Sequence, residues 1–338
     1  MKSIYIEKAG HICIKEMEEP AYIPEHALIE IKVVGICGSD VTAFKGVNPT
    51  MTYPRTMGHE AAGIILEIGD NTKGLKVGDK VAIEPYFSCG ECYPCRKGMI
   101  NNCEKMNVLG VRMEGAMVER LSHPVKYLHK LPDDMDWRLA AVVEPLSISL
   151  HSMHRTQLRG GEFAAIFGAG TIGLFAALCC KAYGAKPILM DVIDERLELA
   201  GKYGVDYVVN PAKENIIKKI SQWTNGEMAP VVLECSGSQK AINDSLEVAS
   251  NSGRIGLVGW AKGVIDFNQP RILRKELNIF GSRNSSNEFP ECIDMLYKKR
   301  VDLLELLEVR YSMEELLQGF HDLVATPEKY LKIISIFQ

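Results

Sequence analysis

A chain of 338 residues has room for two domains and a sizeable core without disulfide staples. Its 46% hydrophobic and 24% charged residues are those of an ordinary globular protein, and a net charge of −4 with no long basic run excludes a dedicated nucleic-acid surface. The opening M-K-S-I-Y-I-E-K reads as a strand and not as a signal peptide, and no stretch reaches the ~18 apolar residues of a membrane span. A cytoplasmic protein is therefore expected, one whose ten cysteines serve metal or catalytic roles where they cluster instead of forming a disulfide framework.

From the start to about residue 130, short apolar runs alternate with Gly, Pro, Asn and Asp, the pattern of a compact β domain. Ala27 to Val34 alternates and then runs apolar, and Gly63 to Ile68 and Lys80 to Ile83 continue the pattern. Between the first two of these lies G-I-C-G-S-D followed by G-H-E, which brings together Cys37, Ser39, His59 and Glu60. An open zinc site takes three N, S or O ligands and leaves a fourth position for water or substrate. Cys37 and His59 supply two. Glu144, in V-V-E-P-L-S, is the best third, and Glu60 is then a supporting or exchangeable ligand. Spacing alone equally allows Cys37 as a buried small hydrophobe and His59 as a core histidine.

The most specific local signal is S-C-G-E-C-Y-P-C-R-K-G-M-I-N-N-C. Cys89, Cys92 and Cys95 are separated by two residues each, and Cys103 follows after seven. Four thiolates close a tetrahedron around zinc with no open position, so this site is read as structural. An iron–sulfur cluster and a redox C-x-x-C pair are the rivals. The absence of a βαβ pattern around these cysteines weakens the second.

After Leu131 an acidic turn and a helical apolar period lead into a region of different character. F-A-A-I-F-G-A-G-T-I-G-L-F-A-A-L places Gly168, Gly170 and Gly173 as G-x-G-x-x-G between a predicted strand and a predicted helix, with Thr171 and Ile172 completing the loop. Such a loop lets backbone approach a pyrophosphate, which the helix N-terminus then holds. The next strand ends in Asp191, about twenty residues on, where a carboxylate takes the ribose hydroxyls of NAD and repels the phosphate of NADP. Arg196 could accommodate that phosphate. Further strand–helix units at Tyr207–Val209, Val231–Cys235 and Arg254–Val258 indicate a parallel doubly wound sheet. From about Gly281 helix-like segments and a final strand, K-I-I-S-I-F, follow. A terminal strand returning to the first domain would make the dinucleotide region an insertion, with the active site in the cleft between domains.

Taken together and in this order, G-I-C-G-S-D, G-H-E, the four clustered cysteines, V-E-P and G-A-G-T-I-G resemble the zinc-dependent medium-chain alcohol and polyol dehydrogenases over essentially the whole chain. The resemblance implies an α/β protein: a GroES-like β catalytic domain, residues 1–143 and 283–338, around a Rossmann domain, residues 144–282. It implies one catalytic and one structural zinc, NAD as cofactor, and a homodimer or homotetramer. Cys37, His59 and Glu144 match its catalytic metal positions, Glu60 the adjacent acidic one, and Cys89, Cys92, Cys95 and Cys103 the structural site. Ser39 is placed to take the substrate proton. Many relatives pass that proton on through a histidine where this chain has Thr42. Glutamate before proline is more like the sorbitol and sugar-acid enzymes than the simple alcohol dehydrogenases.

Substrate expectations follow from three residues. Arg283 and Asn284, in G-S-R-N, look like the L-galactonate and L-gulonate 5-dehydrogenases, whereas Arg112 looks more like a galactitol-phosphate dehydrogenase. An arginine binds carboxylate or phosphate in a bidentate way, while a neutral polyol needs mainly hydrogen bonds. A sugar acid or polyol is expected first and a polyol phosphate next. A non-catalytic zinc- and NAD(H)-binding sensor is disfavoured because Cys37, Ser39, His59 and Glu144 are all present.

Overall fold

The strand His26–Gly35 alternates buried and half-buried residues over its first part and then buries three in a row, Val33, Val34 and Gly35. This pattern follows from its neighbours. It pairs antiparallel with Glu60–Ile68, with Arg120–Pro124 and with the last strand of the chain, Lys332–Ile336. The structure is a computed structural model and describes every residue except Pro49, Lys262 and Gln338. Contacts divide it into two compact units, residues 1–144 with 289–338, and residues 145–288.

In the first unit the seven-stranded sheet runs Leu128–Lys130, Lys80–Ile83, Glu60–Ile68, His26–Gly35, Lys332–Ile336, Leu307–Arg310, with Arg120–Pro124 also on His26–Gly35. A three-stranded sheet joins His11–Glu16, Lys2–Lys8 and Arg55–Thr56. The core between them holds Ile4, Ile6, Ile29, Ile31, Met57 and Ile65, closed by Leu316 and Phe320 from the helix Met313–Ala325. Burying a side chain such as Phe320 contributes about 1.5–3 kcal/mol. The same sheets carry Met57 and Val34 to the threshold of G-H-E and G-I-C-G, so core packing sets the positions of Cys37 and His59.

The second unit is a six-stranded parallel sheet in the order Tyr207–Val209, Lys186–Met190, Phe163–Phe167, Ala229–Glu234, Ala249–Leu257, Asn278–Gly281. The order reverses beside Phe163–Phe167, the point at which such sheets bind dinucleotides. Five of the strands are legible in the sequence; Asn278–Gly281 is not. It is four residues long, exposed at both ends and without alternation, so its place is set by pairing to Arg254–Leu257 and not by local pattern. The helix Val143–Arg155 carries Pro145 in its first turn, where the missing N–H has no helical partner to lose. Among the described residues no helix is long and apolar enough to cross a membrane.

Candidate active site

Cys37 is the N-cap of the helix Gly38–Phe44: its sulfur accepts from Ser39 N at 3.5 Å, and its own N–H donates to Asp40 Oδ2 at 2.9 Å. This reciprocal cap fixes the thiol at the helix start. His59 is buried beside it, with Nε2 3.4 Å from Ser39 Oγ and Nδ1 3.8 Å from Asp40 Oδ1. Glu60, the next residue, is buried in an ion pair with Lys332, which also donates to Ile36 O at 3.0 Å. Cys37, His59 and Glu60 present ligand atoms all within 4.8 Å of one another. Glu144 is buried as well; Tyr86 donates its phenol proton to Glu144 Oε1.

The charges in this group do not balance. Cys37, Asp40, Glu60 and Glu144 face Lys332 as the one fixed cation among the described residues named by these contacts. Burial pushes the Glu144 carboxyl up to about 7, with the Glu60 charge adding to it against the pull of His59. Burial alone would lower His59, but Cys37 and Asp40 outweigh it and raise the imidazole well above its ordinary value. The two shifts differ in cause, desolvation leading for Glu144 and neighbouring anionic groups overriding desolvation for His59, but both favour the protonated form.

In a separate lobe, Cys89, Cys92, Cys95 and Cys103 also converge within 4.8 Å. Cys92 Sγ lies 3.4 Å from Cys95 Sγ and 3.9 Å from Cys103 Sγ. Those separations bracket the ~3.8 Å edge of a tetrahedron with 2.3 Å zinc–sulfur bonds and far exceed a disulfide. N–H groups of Glu91 and Cys92 hold the Cys89 thiol down at about 6, while burial pushes Cys95 up to about 12.

In the second unit, Gly168 turns the chain with a φ of 94°, and a Cβ on Gly173 would stand 1.8 Å from Gly168 O, so both positions require glycine. Gly170 caps the helix Thr171–Ala182 without a side-chain hydrogen bond, and open space stands where its Cβ would be. Ser149 Oγ donates to Ile172 O at 2.8 Å and pins the helix start. Asp191 accepts from Ala169 N at 2.6 Å and Ile193 N at 3.0 Å, and Arg196 stands 3.6 Å from it. The carboxylate expected on the ribose thus also fastens the glycine loop.

Of the residues expected to bind substrate, Arg112 is exposed in the turn after Asn107–Val108, Arg283 is exposed, and Asn284 is half-buried with a φ of 51°.

The zinc-binding dehydrogenase profile matches residues 171–298 and the alcohol dehydrogenase GroES-like domain residues 23–133. The chain is 33% identical over 339 residues to the L-galactonate-5-dehydrogenase of Escherichia coli K12, covering 100% of this chain and 99% of that protein. The chain belongs to the zinc-binding medium-chain dehydrogenases. An uncharacterized zinc-type alcohol dehydrogenase-like protein of Haemophilus influenzae is 44% identical, covering 100% of this chain and 99% of that one. The crystal structure of rspB from E. coli CFT073, described as a short chain alcohol dehydrogenase in complex with NADH, superposes with a TM-score of 0.93 at 32% identity, over 100% of this chain and 99% of that one. This dehydrogenase is accordingly a zinc-dependent, NAD(P)-linked oxidoreductase of the alcohol and polyol class, acting on CH–OH.

The residues of the dehydrogenase fit the metal of its family. The Cys37 group offers S, N and O donors amid uncompensated buried acid, and the four-cysteine group offers the donor number and spacing of a closed site. Three residues of the first site go unread in the sequence. Asp40 had a usable signal, because an acid three residues after an N-cap is the capping-box pattern. Tyr86 and Lys332 had none: they are 58 and 272 positions from the groups they touch.

Proposed function

We propose that the dehydrogenase oxidises a secondary hydroxyl of a sugar acid or polyol with NAD as acceptor. The observation that carries this reading is the convergence of half-buried Cys37 with buried His59 and Glu60, with Ser39 Oγ 3.4 Å from His59 Nε2. Cys37, His59 and Glu144 would hold the catalytic zinc, with Glu60 beside them, and Cys89, Cys92, Cys95 and Cys103 a structural one. When bound, the catalytic zinc acidifies an alcohol by Lewis acidity, and the nicotinamide supplies the hydride acceptor.

The chain's own residues do the rest. Ser39 Oγ would accept a hydrogen bond from the substrate hydroxyl and, as it takes that proton, release its own hydroxyl proton to water. Asp40 orients the Cys37 backbone and faces the far nitrogen of His59. Lys332 pairs with Glu60 and holds it within reach of the metal group, and Tyr86 fixes one oxygen of Glu144. Thr42 Oγ1 donates to Ser39 O at 2.9 Å, so it steadies the serine backbone and offers no imidazole for onward transfer. Gly168, Gly170, Thr171, Ile172 and Gly173 receive the pyrophosphate, and Asp191 with Arg196 the adenosine ribose.

Arg283 and Asn284 support a sugar acid, as does the likeness to L-galactonate-5-dehydrogenase. Arg112, an exposed arginine in the catalytic unit, supports polyol phosphate as a second reading. The outermost strand Asn278–Gly281, together with exposed Trp260, Val264 and Leu273, supports assembly as a homodimer or homotetramer. The test is NAD reduction by zinc-loaded protein on L-galactonate, L-gulonate, sorbitol, galactitol 1-phosphate and ethanol, with NADP in parallel. Selective turnover of the acids or of sorbitol supports the reading. Selectivity for the phosphate moves it to the second, and no turnover of any of them overturns both.

A further inference from the structure

We propose that the N-terminal β-hairpin carries a further zinc-class metal site made by Glu7, His11 and Cys13. In the hairpin Lys2–Lys8 with His11–Glu16, Tyr5 pairs with Cys13 and Ile6 with Ile12. Ile4 and Ile6 are buried and Ile12 and Ile14 pack on the same core, so Tyr5, Glu7, His11 and Cys13 alternate onto the outer face. Regular pairing would continue with Glu7 opposite His11. A bulge instead pairs Lys8 with His11, so that two residues of one strand stand against a single histidine.

The consequence is a convergence of donors. Glu7 Oε2 lies 3.1 Å from His11 Nδ1, and one ligand atom from each of Glu7, His11 and Cys13 lies within 4.8 Å of the others. Cys13 forms no disulfide and belongs to neither of the other cysteine groups. Lys15, the next residue along the same face, sets its ammonium 4.3 Å over the Tyr5 ring. A thiolate, an imidazole and a carboxylate are the donor set of a borderline-soft ion such as zinc, whereas magnesium and calcium demand oxygen throughout. Three ligands leave a fourth position for water, which the exposure of Glu7 and His11, 48% and 53%, makes available. Binding exchanges the Cys13 thiol proton for the metal: the S–H bond breaks, a Zn–S bond forms, and the proton leaves to solvent.

The site lies outside the residues assigned to the reaction, so it stands or falls independently of the proposed substrate. The experiment titrates the purified full-length protein with zinc and counts bound metal by equilibrium dialysis. In parallel, iodoacetamide labelling of Cys13 is followed by peptide mass spectrometry with and without zinc. The wild type should bind one zinc per chain more than Cys13→Ser or His11→Ala, and zinc should block labelling of Cys13 in the wild type but not in His11→Ala. Equal zinc stoichiometry in all three proteins, or labelling of Cys13 that zinc does not slow, overturns the proposal.

Discussion

Lys332 opens the last strand of the chain and closes an ion pair with Glu60, 272 residues earlier, with both side chains buried. The same ammonium donates to Ile36 O, next to Cys37, so one cation ties both halves of the metal group to the terminal strand.

Removing that cation strands a buried carboxylate. Lys332→Met should destabilise the protein by about 3–5 kcal/mol, because the loss is the cost of an uncompensated charge and not the net worth of the pair. Glu60→Gln combined with Lys332→Met should recover part of it. Urea denaturation reads both; an unchanged midpoint in Lys332→Met would show that the pair is not buried as described.

The two cysteine groups should behave differently. Cys37→Ala should remove one zinc per chain and abolish turnover while the fold persists. Cys92→Ala should remove the other zinc and unfold the lobe around it. Metal analysis with circular dichroism separates the cases, and retained turnover in Cys37→Ala would sink the catalytic assignment.

For cofactor choice, Asp191→Ala should weaken NAD by about 10–100-fold, the value of hydrogen bonds to a charged group, and NADP much less. Equal losses for the two cofactors in binding titrations would place the acid's role in fastening Ala169 N alone.

Acid should expose His123. Burial drives its pKa down to about 3, against the Glu84 carbonyl that its Nε2 contacts at 3.1 Å. A histidine held neutral stabilises the fold fully above its ordinary value of 6.5, and the contribution is lost as pH falls from there toward 3, since only the unfolded chain takes up the proton. Glu288 adds a lower window. Despite burial, hydrogen bonds from His151 and His154 hold it at about 2, so its stabilisation fades as pH falls from about 4.5 to about 2. Because His59 and Glu144 shift the opposite way, the difference between two proteins reads His123: melting temperature should fall less in His123→Phe than in the wild type as pH drops below 6.5. An equal loss of melting temperature in wild type and His123→Phe between about pH 6 and about pH 4 would contradict the buried neutral imidazole.

Much of this was open to a reader of the sequence. The four cysteines and the glycine loop with Asp191 stand out because their chemistry is local, whereas C-G-S-D and G-H-E carry meaning only with the rest of the chain. Ligands share one short loop, and a turn that needs glycine must hold it at that position. The sixth strand Asn278–Gly281 was hidden for the opposite reason, since four residues with no buried face are placed only by their neighbour.

What the sequence by itself determined is therefore the family of chemistry: metal donors, a dinucleotide loop, and the two kinds of sheet that carry them. What only the tertiary structure decided is the electrostatic setting of that chemistry. Tyr86 on Glu144, Lys332 on Glu60, Asp40 facing His59 and the charge imbalance among them arise between strands far apart in the chain. No spacing rule encodes such pairs, because the entropy of closing loops of that length is met by the burial of whole sheets and not by the residues that happen to meet.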